Sequence, residues 1–388
     1  MDLEILEHFQ NDLHDIKVFE DFLKVNSLNR HVNCSKRFVN LGVIRAKRGF
    51  KNRKRRRLNP LVDLTEEEFQ HSYRFSKDSI RRLLEMVKDD LEIEQQQCSG
   101  MAKRESQVPV EKQIMAAVRY WGRTEHPEIT AQVHGITVGT LMKISKRVAE
   151  ALSYKASRYI RMPCLLAEKE KVTKGFYDLA HMPQVIGAVT HLNIRCKRQG
   201  AANQEQKPDD ILYIQIVSDA NFKIRDLDCH TVKSASSIKS PADIFAQSRI
   251  KERFEQNEFR GRLLLGDSVL KCSSYLFTPI TYAVTLAEQA FNSSLRLTYE
   301  PARRCLNLWQ QRFGILNCEF TGSHTTVRHI IVALVLLHNM AIEWEDTALV
   351  KKADEDETSM HSSHERVKCA DERSRAEFIK NHFNNFIS

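Results

Sequence analysis

The sequence predicts an α/β protein in which a mixed β-sheet with flanking helices follows an all-α region. Three observations carry that expectation. Before Pro163 the apolar residues recur at helical spacing. Beyond it come strand-like runs at 185–194 (VIGAVTHLNI), 211–217 (ILYIQIV) and 261–265. Their succession of strand, hairpin, helix, strand and helix belongs to a mixed sheet rather than to a bundle or a sandwich.

Taken in order, residues 1–38 place Ile5, Phe9, Leu13, Ile16, Phe19 and Leu23 at helical intervals. Residues 45–57 (RAKRGFKNRKRRR) carry nine basic side chains in thirteen positions, ending in Arg53, Lys54, Arg55, Arg56 and Arg57. So dense a run must be solvated. It suits a nuclear-import signal or a clamp on a phosphate backbone, and equally a plain basic linker. Thr65 and Glu68 then form a capping-box pattern. Ser76 and Asp78 open a second helix with Ile80, Leu83, Leu84 and Val87 on its apolar face, and 95–107 reads as a polar loop. Pro109 precedes a helix facing inward through Ile114, Ala117, Val118 and Trp121.

Residues 127–133 predict a short helix, 135–137 a tight turn, and 138–152 a longer helix. In the longer helix Leu141, Ile144 and Val148 point inward, and Lys143, Lys146 and Arg147 point outward. This is the helix-turn-helix pattern, open to DNA contact and to simple bundle packing alike. After the first strand comes a polar loop at 195–210. Asp219-Ala220-Asn221 turns the second strand into FKIRDLDCH, and a helix is expected over 241–254. Helices are also expected at 301–313, 327–344 and 370–387, with a charged segment over 346–365 whose composition predicts disorder. The domain reading is a helical and basic extension (1–57), a helical region (58–163), an α/β domain (164–345) and a tail (346–388).

Composition narrows the function classes. Apolar residues make up 42% and charged residues 28% of the 388, ample for a core. The longest apolar run, 330–337, is too short for a bilayer, and the acidic, amphipathic first residues do not read as a signal peptide. No membrane partner is expected. Nine scattered cysteines with no Cys-x-x-Cys argue against zinc ribbons and a disulfide framework. They fit a reducing compartment. The net charge of +9 and pI of about 9.0 point to nucleic acid among possible partners.

The chemistry-bearing candidate is Asp267, one residue past Gly266 at the end of an apolar run in LLLGDSVLKCSSY (263–275). Such a carboxylate can hold a metal ion, or merely cap a turn. Other polar residues have structural readings. His338 follows an apolar helical run, and His191 falls on the opposite strand face from Thr190. Trp121, Trp309 and Trp344 sit at core spacing, and Ser268, Ser273 and Ser274 lack a partner base.

Seven stretches in order carry a resemblance: PVEKQIMAAVRYWG (109–122), HGITVGTLMKISKRVAEAL (134–152), MPQVIGAVTHLNI (182–194), LLLGDSVL (263–270), AEQAFNSSL (287–295), LWQQRFGIL (308–316) and IIVALVLLHN (330–339). Together, over residues 58–345, they resemble the PIF/Harbinger transposase-derived nucleases of the DDE superfamily. The resemblance implies a helix-turn-helix ahead of a ribonuclease-H-like domain. It also implies three carboxylates that hold two divalent metals for phosphodiester chemistry. This chain departs from that pattern. The first aspartate position is Thr190, the downstream histidine position is Asn193, and the glutamate position is Arg303; Asp267 alone is kept. The intervening Gly-Ser-x-x-Asp stretch is replaced by SASSIKSPADIF (234–245), with Pro241 at the aspartate.

Two divalent ions about 3.5–4 Å apart need several carboxylate oxygens. Thr190, Asp267 and Arg303 bring no net negative charge. A guanidinium about 5 Å from a divalent ion is repelled by roughly 6–7 kcal/mol at an effective dielectric of about 20. The expectation is therefore a catalytically dead site without a cofactor, in which Arg303 pairs with Asp267 and takes the metal position. If the site were active, magnesium or manganese would sit on relocated ligands, namely Asp219, Asp267 and Glu300. Against this, Asp219 reads as a turn residue and Glu300 as a helix-start cap before Pro301. The functional expectation is a nuclear, or nuclear and cytoplasmic, DNA-associated or chromatin-complex protein derived from a transposase. An active metal-dependent nuclease and a protein adaptor without DNA contact are the alternatives. The family further implies a Myb/SANT-like protein partner.

Overall fold

Thr65 and Glu68 close the predicted capping box reciprocally, Thr65 N donating to Glu68 at 2.9 Å and Glu68 N to Thr65 at 3.2 Å. The computed structural model describes residues 59–97, 108–197, 210–232, 240–346 and 372–383. The N-terminal helix, the basic run with Arg53, Lys54, Arg55, Arg56 and Arg57, and the charged segment beyond Asp346 lie outside them.

The helical region comprises α1 (Pro60–Asp63), α2 (Glu66–Tyr73), α3 (Lys77–Gln97), α4 (Val110–Gly122), α5 (Pro127–His134), α6 (Val138–Tyr154) and α7 (Ala156–Tyr159). Helix α3 runs to Gln97, past the predicted start of the polar loop. Its straight-chain residues Glu92, Glu94 and the Gln95–Gln97 run continue a helix readily, so polarity alone misplaced the boundary. Between α5 and α6 the chain turns at Gly135 (φ 58°), a left-handed position that glycine adopts without strain. Thr137 then caps α6, its hydroxyl accepting from Thr140 N at 3.1 Å.

Helix α8 (Leu166–Ala180) leads to the sheet and was not foreseen from the sequence. Only Val172 and Phe176 of its side chains are buried, so its apolar stripe is too narrow to stand out. The strands are β1 (Val185–Lys197), β2 (Asp210–Ser218), β3 (Ile224–Val232), β4 (Leu263–Leu265), β5 (Leu276–Phe277) and β6 (Phe320–Thr321). The sheet order is β3-β2-β1-β4-β5, with β6 beside β1. Strands β1 to β3 form an antiparallel meander, while β4, β5 and β6 run parallel to their neighbours. The helix expected over 241–254 is two, α9 (Pro241–Ala246) and α10 (Arg249–Glu255). Ser248 breaks it by capping the second.

The larger correction concerns α11, which spans Leu286–Arg312 with Pro301 inside it. Pro301 was read as a helix start, but a capping box at Thr285 and Glu288 starts the helix four turns earlier. The proline is tolerated in the interior because packing on both sides holds the helix. Its first half, with Phe291, Leu295, Tyr299 and Ala302, packs into a core with β4, β5, α8 and α10. Its second half, with Cys305, Trp309 and Phe313, packs into the core shared by the helical region and α12 (His324–Glu343). Residues Asn59–Ser388 cluster as one unit. Helix α12 is the one among the described residues long and apolar enough to cross a membrane. Here its Leu334, Val335, Leu336 and Leu337 are fully buried in the core. Helix α13 (Glu372–His382) closes the β5 side through Phe378 and Ile379.

Candidate functional site

Two of the three candidate positions lie on, or just past, neighbouring strands. On the parallel β1–β4 pair, Ala188 lies opposite Leu265. Thr190 lies two residues on along β1, and Asp267 lies two residues past Leu265, beyond the end of β4, where its charge bears on Tyr299 and that of Arg303 bears on it. The third comes from α11. Tyr299 is buried and donates its hydroxyl to Val189 O at 2.8 Å, which pins the helix to β1 one residue before Thr190. Arg303 follows one turn later, its guanidinium 5.5 Å from the centre of the Tyr299 ring. The sequence reading missed Tyr299, although a buried tyrosine one turn from a candidate helix residue is the available signal.

The chemistry at these positions is not that of a metal site. Thr190 is 4% exposed, and its hydroxyl oxygen is buried without a hydrogen-bond partner. Burial pushes the Asp267 carboxyl above the usual carboxylate range, against the Val269 amide and the Arg303 cation that pull it down. The Val269 amide donates to Asp267 at 3.3 Å, so the carboxylate also holds its own turn. The expected Arg303–Asp267 pair does not form. Arg303 turns instead to Glu300, 3.9 Å away, with both side chains half exposed. The physical reason is solvent: an exposed guanidinium stays hydrated at the surface rather than entering a partly buried site.

The relocated ligand set does not assemble either. Asp219 accepts from Asn221 N at 2.9 Å and Lys223 N at 3.0 Å, and meets both Nε and Nη2 of Arg225 at 2.7 Å. Its lone pairs are taken by the β2–β3 turn. Ser218 pairs with Ala188 on the antiparallel side, so Asp219 lies back toward Gly187 and away from Thr190. Glu300 lies in the interior of α11, exposed, and is no helix-start cap. Among the described residues no group of three or more His, Cys, Asp or Glu side chains converges as a metal site. One carboxylate, an isolated hydroxyl and a cation do not fit two divalent ions.

The other sequence candidates are placed as follows. Lys143 and Lys146 are exposed on α6, Lys146 lying 3.8 Å from Glu150. Arg147, expected outward, is half-buried and donates to Gln113 on α4 at 3.3 Å, where it serves bundle packing. His191 meets Gln215 across β1–β2 at 3.3 Å, on the face opposite Thr190. His338 is buried, bonded to Phe222 O at 2.8 Å, and burial lowers it to about 4. Beside it Asn339 accepts from Ile224 N (2.8 Å) and donates to Ile224 O (2.8 Å) and Tyr159 O (3.1 Å). The Leu-His-Asn sequence at 337–339 is thus a clasp joining α12, the β2–β3 turn and α7. Its signal was an asparagine inside an apolar helix, which is stable only if fully bonded.

A strand-end aspartate beside a central β1 and a late helix carrying the third position are the arrangement of a DDE-type centre. Residues 190–339 match the family described as DDE superfamily endonuclease. Among curated proteins the chain is similar to "Putative nuclease HARBI1" of Rattus norvegicus, 27% identical over 342 residues that cover 83% of this chain and 92% of the relative. The protein of the same description from Homo sapiens is 25% identical over 293 residues, 73% of this chain and 80% of the relative. That from Bos taurus is 25% identical over 349 residues, 83% and 92%. No solved structure matches. The similarity thus runs to DDE-superfamily nucleases over residues 190–339 and to these curated relatives over most of the chain.

Proposed function

We propose that this is a domesticated Harbinger-type protein that has lost catalysis and acts in the nucleus as a DNA-associated or chromatin-complex factor. The observation that supports this most is the site itself. Of the three positions that the resemblance assigns, only Asp267 supplies a carboxylate, and Arg303 puts a cation at the helix position. The sheet order β3-β2-β1-β4-β5, antiparallel then parallel, supports a ribonuclease-H-like domain over 164–345. The α5–Gly135–α6 unit, with Lys143 and Lys146 outward, supports a DNA-contacting helix-turn-helix within 58–163. The basic run ending in Arg53, Lys54, Arg55, Arg56 and Arg57 suits nuclear import and phosphate contact. A Myb/SANT-like or chromatin protein is the partner the family favours.

The test is a pair of assays on the full chain. Fluorescence anisotropy should report salt-dependent binding to duplex DNA, weakened and made less salt-sensitive when Lys143 and Lys146 or the basic run are neutralised. Plasmid should remain intact with magnesium or manganese. Nicking that disappears in Asp267→Asn would overturn the loss of catalysis, and absence of DNA affinity at physiological salt would overturn the DNA role in favour of a protein adaptor.

A further inference from the structure

We infer that the vestigial site receives a DNA phosphate directly, without metal, and that Arg303 is its anchor. This rests on the DNA-associated reading above and names the contact that reading leaves open. A site of three carboxylates repels a phosphodiester unless divalent cations stand between them. In this chain the charge at the helix position is reversed. Thr190 contributes no charge, so one source of repulsion is gone. Asp267 is then the one carboxylate left among the three positions.

Arg303 is also free to engage an anion. It is 58% exposed and makes no pair with Asp267. Its contact with Glu300 is long, at 3.9 Å, and half exposed, so a phosphate can displace it. The Tyr299 ring lies beneath the guanidinium at 5.5 Å, and that ring is fixed by its hydrogen bond to Val189. A guanidinium held over a rigid ring presents its fork of N–H donors in a set direction, which suits two oxygens of one phosphate. Arg296 is exposed seven residues earlier on the same helix face, about 10 Å along the axis. The two arginines therefore mark a line along α11 that a backbone can follow. A solvated face with a Glu300–Arg303 surface pair leaves unexplained why the pair is so loose.

The experiment titrates the full chain onto a short fluorescein-labelled DNA duplex in EDTA at several salt concentrations. Arg303→Ala should weaken binding about tenfold and lower the slope of log affinity against log salt by about 0.9, one phosphate contact. Arg303→Glu should weaken it further, and Arg303→Lys should retain part, since it keeps the charge but not the fork. Adding manganese should not strengthen wild-type binding. Arg303 is a surface side chain, and Arg303→Gln provides a second, neutral variant should the glutamate disturb folding; equal thermal melts check this. Binding that is lost in a Lys143→Ala/Lys146→Ala variant but untouched by Arg303→Glu and Arg303→Gln would overturn this inference alone. No binding by the wild-type chain would overturn the DNA-associated reading on which it rests.

Discussion

At Thr190, two residues past the last β1–β4 pair, a buried hydroxyl oxygen has no hydrogen-bond partner. A carboxylate there would gain a use only if a cation returned, and a cation can return only if Arg303 is removed. Single substitutions should therefore fail where a double one works. Thr190→Asp with Arg303→Glu should create divalent-metal binding, seen as a melting temperature that rises with manganese, by about 2.7 kcal/mol of stabilisation at a hundredfold excess over Kd. Neither single variant nor the wild type should respond. His338 carries a pH prediction of its own. Burial lowers it to about 4 from 6.5. Between those values the unfolded chain binds a proton that the folded chain refuses, so stability falls as the pH drops through that window. The loss from this residue is about 3 kcal/mol by pH 4. Urea melts of His338→Gln, which cannot take up the proton, should show a correspondingly flatter acid limb. His191 and His134, lowered to about 4 and about 3 chiefly by burial, steepen the remainder.

At the scale of elements, β1 is squeezed between β2 and β4, and Gly187 is the point of closest approach. A Cβ there would lie 2.5 Å from Val217 Cγ1 and 3.2 Å from Leu264 Cδ2. Val217 is β-branched and cannot swing aside cheaply. Gly187→Ala should cost about 1–3 kcal/mol, read as a lower denaturation midpoint with an unchanged slope. Because the same strand sets the level of Thr190, the variant should also disturb the register at the site. The long helix α11 shows where pattern reading reached its limit. Its second half was legible at 301–313 from Leu308, Trp309 and Phe313. Its first half was hidden, because Pro301 reads locally as a start and because the buried face moves from one core to the other along the helix. The pairing of Arg303 with Asp267 failed for a related reason: spacing can place a residue on a helix but not say whether solvent or a neighbour holds its charged end.

For the whole molecule, Arg312 at the end of α11 ties the start of α3 in the helical region to the end of α12. It is 4% exposed, donates to Arg74 O at 2.7 Å and Asp346 O at 2.7 Å, and pairs with the Asp346 carboxylate at 3.4 Å. Asp346 in turn accepts from Ser76 N at 2.9 Å, at the start of α3. Removing the arginine strands a buried carboxylate, so Arg312→Ala should cost about 3–5 kcal/mol. Circular dichroism and tryptophan fluorescence, which follow the helices and the cores respectively, should then cease to report coincident unfolding. The clasp of His338 and Asn339 acts beside this link, tying α12 to the β2–β3 turn and α7.

From the order of residues alone came the class of fold, the helices with strong caps and the central strands, because periodicity and capping are local properties; the three site positions came from the family resemblance. The loss of two carboxylates was likewise written in the chain. Only the tertiary structure decided that Tyr299 fastens α11 to β1 beside Thr190, that Asp219 is consumed by its own turn, and that Arg303 faces solvent. Each of these depends on which groups meet across a distance in sequence, and on whether burial or water offers a charge the lower free energy.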